Sequence, residues 1–418
     1  MFRIAWRNIW RNRRRAVITM ASVFFAAFFC ILLMCFDEGT WMVMIDNTLR
    51  TQAGHIQIHG KGYWDDKIVD NFLSMDAAVI SGLENIPNVE NVSPRVETYA
   101  MVSFGSVSKG IAVIGVSPEK EAQKSNLPSR IVQGEYLAET DDGVLIGEGL
   151  SNYLKANTGD TLALIGQGYH GASAAQLFVV RGILAMMTTE MDYGMIYTTL
   201  LATQQFIDMP NGYSGILISI KDNKLLDKTM KDVSNKLQLM HSGLQENTET
   251  HDLKSNDYEV FSWHFTMDRL LQSAESDEVF SLVILYILYV IVGFGILGTV
   301  IMMTNERKHE FSMMISLGMP RIKLISVVSF ELLVMSLMGL ILALMVTMPV
   351  AYWFAVHPIN LSGEMARMML DYGMEPILLM STTSSIFISQ IVTVLIISLL
   401  AMIYPANKIM KLKLSQNK

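Results

Sequence analysis

The sequence predicts an α-helical membrane protein with four transmembrane helices and a large mixed α/β extracytoplasmic domain inserted between the first and second of them. Two observations carry this. Of 418 residues, 51% are hydrophobic and only 17% charged, and the apolar residues are concentrated: Ala16–Phe36, Val279–Met303, Leu332–Gly363 and Ile377–Asn407 contain no Asp, Glu, Lys or Arg. Each run supplies the roughly 20 helical residues that cross about 30 Å of hydrocarbon. Charge is also asymmetric. Met1–Arg15 carries six arginines and no acid, Thr304–Lys323 carries Arg307, Lys308, Arg321 and Lys323 against Glu306 and Glu310, and Tyr404–Lys418 carries four lysines and no acid, whereas Asp37–Glu278 holds 33 acids against 17 bases. Because Lys and Arg flanking a span stay in the cytoplasm, both termini and the middle loop are expected there, with the acidic segment outside.

Residues 1–15 form the first element. Phe2, Trp6, Ile9 and Trp10 recur at helical spacing, while Arg3, Arg7, Arg11 and Arg14 recur on another face. Such a helix lies in the inner interface, with Arg3, Trp6, Arg7, Trp10 and Arg11 as the anchor; a plain positive-inside anchor is the competing reading. The first span, 16–38, ends in Phe36-Asp37-Glu38 with no small-residue cleavage pattern, so a retained signal anchor is expected. Cys30 and Cys35, the two cysteines, stand about 140° apart on a helix and cannot pair within one chain; buried, inert thiols are expected.

Residues 39–274 are long enough for a core of their own and for two lobes. Gly39–Gln52 continues the first helix outward. Gly54–His59 alternates like a half-buried strand, and strand-like runs follow at Val96–Phe104, Ile111–Val116, Val144–Ile146, Thr161–Ile165, Phe178–Leu184, Met195–Thr198 and Gly215–Ile220. Helical patterns at Gly149–Lys155, Thr203–Asp208 and Lys224–Met240 interleave with them, giving a mixed α/β domain. Leu253–Asp257 is the expected return linker, and a helix from about Ser262 leads into the second span.

Catalytic patterns in this domain are decoys. Ser106-Val107-Ser108-Lys109 matches S-x-x-K without the accompanying S-D-N or K-T-G. His55 and His59 are four apart, but on a strand they stand about 13 Å apart, too far to share an ion, and a solvent-facing strand edge is expected instead. No metal site and no catalytic residue is assigned.

The second span, 275–303, contains Gly293-Phe294-Gly295-Ile296-Leu297-Gly298. A G-x-G-x-x-G without a preceding strand does not signal a dinucleotide; small residues let neighbouring helices approach. The chain has no G-x-x-x-x-G-K-[ST], hence no P-loop of its own. In the loop 304–323, Asn305–Gly318 opens with charge, places Phe311, Met314, Ile315 and Leu317 at helical spacing and stops at a glycine, which reads as a short amphipathic helix. Its apolar side packs under the bundle or into a groove on a partner. The third span (324–354), a short outer loop (355–376), the fourth span (377–404) and a tail (405–418) complete the chain. Glu331 is the one acid inside a span, about two turns from the loop, where Lys323 or Arg7 is its expected partner and an interfacial, snorkelling position the alternative.

Residues 305–340, N-E-R-K-H-E-F-S-M-M-I-S-L-G-M-P-R-I-K-L-I-S-V-V-S-F-E-L-L-V-M-S-L-M-G-L, resemble the permease domain of the FtsX/MacB/Lol-type ABC transporters, with its E-R-x-x-E, L-G, basic residue and early membrane Glu. Tyr404-Pro405-Ala406-Asn407-Lys408 resembles that family's P-A tail, and further matches lie at Ala5–Arg11, Gly147–Leu150, Thr158–Thr161 and Trp263. The resemblance implies a dimeric permease, paired with a second copy or a paralogue and bound to two ABC ATPase subunits, with a MacB-like periplasmic core domain of porter-like and smaller lobes. The coupling helix on the ATPase would be formed by Asn305, Glu306, Arg307, Lys308, Glu310, Phe311, Met314, Leu317 and Gly318. This chain would be a non-catalytic subunit without cofactors, ATP and Mg belonging to the partner ATPase. The first span begins at Ala16, so the ATPase is expected on a separate chain. The layout is most similar to the lipoprotein-releasing group of the bacterial inner membrane, which implies mechanotransmission to the periplasm and release of a lipidated or amphipathic substrate, with membrane lipids and a periplasmic chaperone or adaptor as further partners. An FtsX-like regulator of a periplasmic hydrolase and a MacB-like efflux component remain the alternatives.

Overall fold

The computed structural model describes residues 10, 13–125, 127–186, 188–244, 258–371 and 376–411. They fall into two compact units, one made of Gln272–Asn360 with the chain before Met44 and after Pro376, the other of Met44–Leu271 with Leu361–Pro376.

The first unit is helical. Among the described residues four helical segments are long and apolar enough to cross a membrane: Ala16–Ala53, Asp268–Glu306, Arg321–Val356 and Ser384–Met410. Their contacts use small side chains. On the third helix the buried stripe runs Ser336, Gly339, Ala343, Thr347, Ala351, and Val23, Ala27 and Ile31 of the first helix belong to the same core. In lipid such packing rests on close approach rather than on a hydrophobic drive. At Gly339 a Cβ would stand 2.6 Å from the Met20 carbonyl oxygen and 3.0 Å from Val23 Cβ. On the second helix Gly293 is used in this way, a Cβ there standing 3.8 Å from Ile397 Cγ2 of the fourth helix, but Gly295 and Gly298 have no atom of another described element within 4 Å, and that face is open. Cys30 and Cys35 are buried and free.

The fourth span starts later than 377. Ile377–Leu378 pairs with Ile359–Asn360, and the helix begins only at Ser384. The run Ser381-Thr382-Thr383 explains the delay, since hydroxyl side chains compete for local backbone groups and favour helix starts over helix interiors. Ser381 N–H donates to the Cys35 carbonyl at 2.7 Å, and its hydroxyl lies 2.7 Å from that of Thr383. At the other end the helix breaks after Ala401, four residues before Pro405, whose ring forbids the continuing turn.

The second unit is α/β. Its strands are β1 (Ile56–Gly60), β2 (Leu73–Ser74), β3 (Val89–Phe104), β4 (Val107–Val116), β5 (Ile131–Gly134), β6 (Val144–Gly147), β7 (Thr161–Gln167), β8 (Ser173–Leu184), β9 (Met195–Thr199), β10 (Gly212–Tyr213), β11 (Gly215–Ile220) and β12 (Tyr258–Ser262). The seven later strand-like runs all become strands. One lobe is the sheet β12-β1-β11-β3, covered by the helices Ala77–Glu84 and Leu226–Leu244 over a core of Ile56, Ile58, Leu83, Ile216, Ile218 and Val233. In the other, β3-β4-β9-β6-β8-β7 closes back on β3 around Val102, Val113, Ile146, Leu162, Phe178 and Ile196. Strand β3, 16 residues long, belongs to both.

Two sequence expectations change here. Strand β1 is no half-buried edge: β11 and β12 flank it and all five residues are buried. His59 is 5% exposed, with its ring nitrogens 2.6 Å from the Ser214 carbonyl and 2.7 Å from the Gln57 amide oxygen, and burial pushes its imidazole down to about 4. The covering strand, β12, carries no alternation that marks it in the sequence. Lys109 of the S-x-x-K pattern lies 4.9 Å over the rings of both Tyr153 and Tyr193, a packing role for its cation.

Replacing Gly339 by Val forces the first and third helices apart and is expected to cost about 1–3 kcal/mol. A fall in the thermal midpoint of the detergent-solubilised chain measures it, and Gly298→Val, which meets no atom of this chain, leaves the monomer's midpoint unchanged.

Candidate functional site: an elbow pinned by a buried ion pair

Between the second and third long helices the chain makes an elbow. The second helix runs on through Asn305 to Glu306, Arg307 takes φ −92° and ψ 10°, and a new helix covers Lys308–Ser316. Asn305 and Glu306 thus end the long helix rather than open the short one. The short helix closes in a Schellman motif: Gly318 at φ +93° donates to the Ile315 carbonyl, Met319 N–H reaches the Met314 carbonyl, both at 3.0 Å, and Pro320 precedes the next helix. Left-handed backbone at that place is the reason for glycine.

Arg307 holds the elbow. It is 4% exposed, its Nη1–H donates to Glu331 Oε2 at 2.7 Å, its Nε–H donates to Glu310 Oε2 at 3.1 Å, and its guanidinium carbon lies 5.3 Å from the centre of the Phe311 ring. Glu331 is 1% exposed on the third helix. A buried acid and base in a helical bundle persist as a hydrogen-bonded pair because neither is tolerated alone. This corrects two expectations. Glu331 is buried rather than snorkelling and pairs with Arg307, while Lys323 is exposed. Arg307 and Phe311, 2% exposed, face the bundle and not a partner. Arg7, the other partner expected for Glu331, lies outside the described residues, as do Arg3, Trp6 and Arg11 of the expected anchor. Trp10 is 49% exposed with the Arg13 guanidinium 5.5 Å from its ring.

Beneath the pair, Phe311, Leu324, Val328 and Ile409 form a small core with Met314 and Ile315 packed against it, so the short helix, the third helix and the helix Ile403–Met410 meet. Arg321 Nη1–H caps the last of these on the Met410 carbonyl at 2.7 Å. The apolar side read in the sequence is therefore spent inside the bundle, with one exception: Leu317 is 82% exposed. With Met313, Ile322, Lys308, His309 and Ser316 it forms the outward face.

Two more polar contacts join the helices. Tyr289 donates to Gln390 Oε1 at 2.7 Å, linking the second and fourth, and Trp41 Nε1–H donates to Asp277 at 2.8 Å, linking the first and second. Gln390, 1% exposed, was not singled out in the sequence, where an uncharged amide in the 18-residue apolar helix Ser384–Ala401 leaves no mark on charge counting.

Residues 16–236, more than half of the chain, match the MacB-like periplasmic core domain, and residues 282–414 match the FtsX-like permease C-terminal domain. The chain belongs to the FtsX/MacB-type ABC transporter permease family. Among curated relatives, the macrolide export ATP-binding/permease protein MacB of Bordetella avium (strain 197N) is 22% identical over 352 residues, which make up 81% of this chain and 50% of that protein; the chain thus spans about half the length of that relative. Among solved structures, the periplasmic region of MacB from Actinobacillus actinomycetemcomitans matches 55% of this chain and 97% of its own length at 14% identity and TM-score 0.38, and the extracellular domain of the ABC-type transporter YknZ from Gram-positive bacteria matches 50% of this chain and all of its own at 13% identity and TM-score 0.36. In this permease the elbow is the part whose sequence pattern, E-R-x-x-E followed by L-G, also carries the resemblance.

Removing one member of the pair strands the other as a buried charge. Glu331→Leu or Arg307→Met alone is expected to destabilise the permease by about 3–5 kcal/mol, while the double replacement recovers most of the loss. Thermal unfolding of the three purified variants reads the coupling.

Proposed function

We propose that this permease is the membrane subunit of an ABC transporter of the bacterial inner membrane that extracts or releases a lipoprotein or another amphipathic molecule. On this reading the termini are cytoplasmic, the α/β unit is a periplasmic domain inserted between the first and second spans, and ATP is hydrolysed by a separate pair of ATPase subunits. The observation that carries it is the elbow: a short helix whose inward face is locked to the third span by Arg307 and Glu331 and whose outward face presents Leu317, Met313 and Lys308. A helix held rigidly from behind and bare in front transmits a push, as a coupling helix must. Of the expected coupling residues, Asn305, Glu306, Lys308, Leu317 and Gly318 keep the role of meeting the ATPase. Arg307, Glu310, Phe311 and Met314 instead brace the lever.

The second span supports an amphiphile as substrate. Val279, Phe280, Tyr286, Ile291 and Phe294 are each more than 60% exposed, and its open glycines leave room for a second copy of the permease to approach. A lipid-open cleft between two such spans admits acyl chains sideways from the outer leaflet. The methionines of the chain, 31 in all, are side chains that adapt to irregular apolar shapes.

Leu317→Glu with Met313→Glu is expected to weaken ATPase co-purification by about tenfold or more, with an unchanged thermal midpoint. Undiminished co-purification overturns the coupling assignment. For the substrate, vesicles holding the permease and its ATPase are expected to release a lipidated protein, but not its unlipidated form, when ATP is added. Activation of a co-purifying hydrolase without such release would instead favour the regulatory reading, and capture of a periplasmic adaptor the efflux one.

A further inference from the structure

Strand β12 of the α/β unit pairs with β1 and with no other described strand. Trp263, next in register, donates its N–H to the His55 carbonyl at 3.0 Å. By the alternation of an antiparallel ladder the backbone groups of Glu259 and Phe261 also face β1, and those of Tyr258, Val260 and Ser262 face away from it. An open row of donors and acceptors is a template for another strand.

The two faces beside this edge differ. Tyr258 and Val260 pack on the core beneath the helix Leu226–Leu244, and between strand and helix lies a groove of about 490 Å3 lined by Asp227, Met230, Lys231, Ser234, Asn235 and Val260. Asp227 and Lys231 are exposed, and neither side chain is tied by an ion pair or hydrogen bond to another described residue. On the opposite face Phe261 stacks at 4.6 Å on Phe265, which is 51% exposed, and Trp64 stands 5.7 and 5.9 Å from these two rings. Successive side chains of a strand point to opposite faces. A strand laid along β12 therefore sends alternate residues into the groove and onto the aromatic shelf. We infer that β12 receives an extended segment of a partner polypeptide as an added strand, with a basic and an acidic residue two apart in the groove and apolar or aromatic residues alternating with them on the shelf.

Backbone, spacing and charge choose this occupant. Outward N–H and C=O groups are met by an extended chain, and not by a helix or an acyl chain. Asp227 and Lys231 are one helical turn apart, a rise of about 6 Å, and residues i and i+2 of a strand are about 6.8 Å apart, so one added strand sets opposite charges against both. The groove has the volume of a ligand pocket, with room for long side chains whose stems lie on Met230 and Val260 while their charged heads stay wet. A second copy of this chain is the poorer fit: Glu259 is the one charged residue of β12, and a charge on an edge strand guards it against pairing with its own kind. The site lies wholly within the α/β unit and does not depend on which molecule the permease moves.

The test uses the full-length permease in detergent at low salt and a short fluorescein-labelled peptide in which Phe alternates with Thr, Lys, Glu and Thr, read by fluorescence anisotropy. Saturable binding is expected, about tenfold or more tighter than that of a scrambled peptide of the same composition. Asp227→Lys is expected to weaken this peptide about tenfold and to favour instead the version with Glu in place of Lys. Val260→Pro removes an outward N–H and obstructs the edge while sparing the bonds to β1; it is expected to abolish binding with an unchanged thermal midpoint. Should that variant not fold, N-methylation of the peptide backbone carries the same test. No saturable binding, equal binding of the scrambled or N-methylated peptide, or indifference to Asp227→Lys overturns the proposal. So does self-association that Val260→Pro abolishes, which gives the edge to a second copy, and so does binding that appears only once residues 245–257 are exchanged for a Gly-Ser linker, which gives it to the chain itself.

Discussion

A guanidinium and a carboxylate buried together are tolerated in a helical bundle only as a pair, and the Arg307–Glu331 contact imposes that condition on everything near the elbow. It fixes the direction of the Arg307 side chain, hence the bend after Glu306, hence which side of Lys308–Ser316 faces inward. Phe311 follows its neighbour into the core and Leu317, six residues on, is left facing out. Apolar contact alone does not choose among helix rotations so sharply, because in lipid one greasy face packs about as well as the next. The charge pair adds a geometric condition with one solution, at the cost of desolvating two ions.

The α/β unit solves a similar problem with a strand. Two lobes joined by a flexible linker would transmit little, but β3 is shared, so bending one lobe relative to the other must distort a ladder that runs from Val89 to Phe104. Arg95 sits at the change of partners and also bonds the carbonyls of Thr51 and Gln52. Its position therefore makes one residue answerable to both sheets and to the turn beyond the first long helix. Hydrogen bonds to a charged group are stronger than neutral ones, and burial spares them from screening.

Much of this was legible in the sequence for a simple reason: long apolar runs and β-branched alternation are local signals. The four long helices, seven strands and the helix closed by Gly318 all announce themselves within a dozen residues. What stayed hidden depends on distant partners or has no period. The helix Pro118–Ser125, P-E-K-E-A-Q-K-S, has no apolar stripe to find; β12 has none either, and without it β1 reads as an edge. The i, i+3 spacing of Arg307 and Glu310 marks a local pair, yet its third member lies 24 residues away. A lone acid in a span demands a base, but Lys323 and Arg7 met that demand in sequence as well as Arg307 did. Only the fold chooses among them.

The polar contacts of the helical unit also decide which motions are cheap. Dispersion contacts along a span can slide with little change in energy, whereas a hydrogen bond in hydrocarbon must be kept or replaced. The second long helix touches its neighbours sparsely, with Leu285, Ile296, Val300, Met303 and Thr304 as its buried residues. Yet it is pinned at three levels: Asp277 by Trp41, Tyr289 by Gln390, and Arg307, just past its end, by Glu331. At 1.5 Å per residue these pins are about 18 Å and about 27 Å apart along the axis. A continuous hydrogen-bonded helix held at such pins slides little against its neighbours, because each pin must be kept or replaced. A displacement of the elbow is then carried to Asp277 by one helix and is not lost in local slippage between oily surfaces.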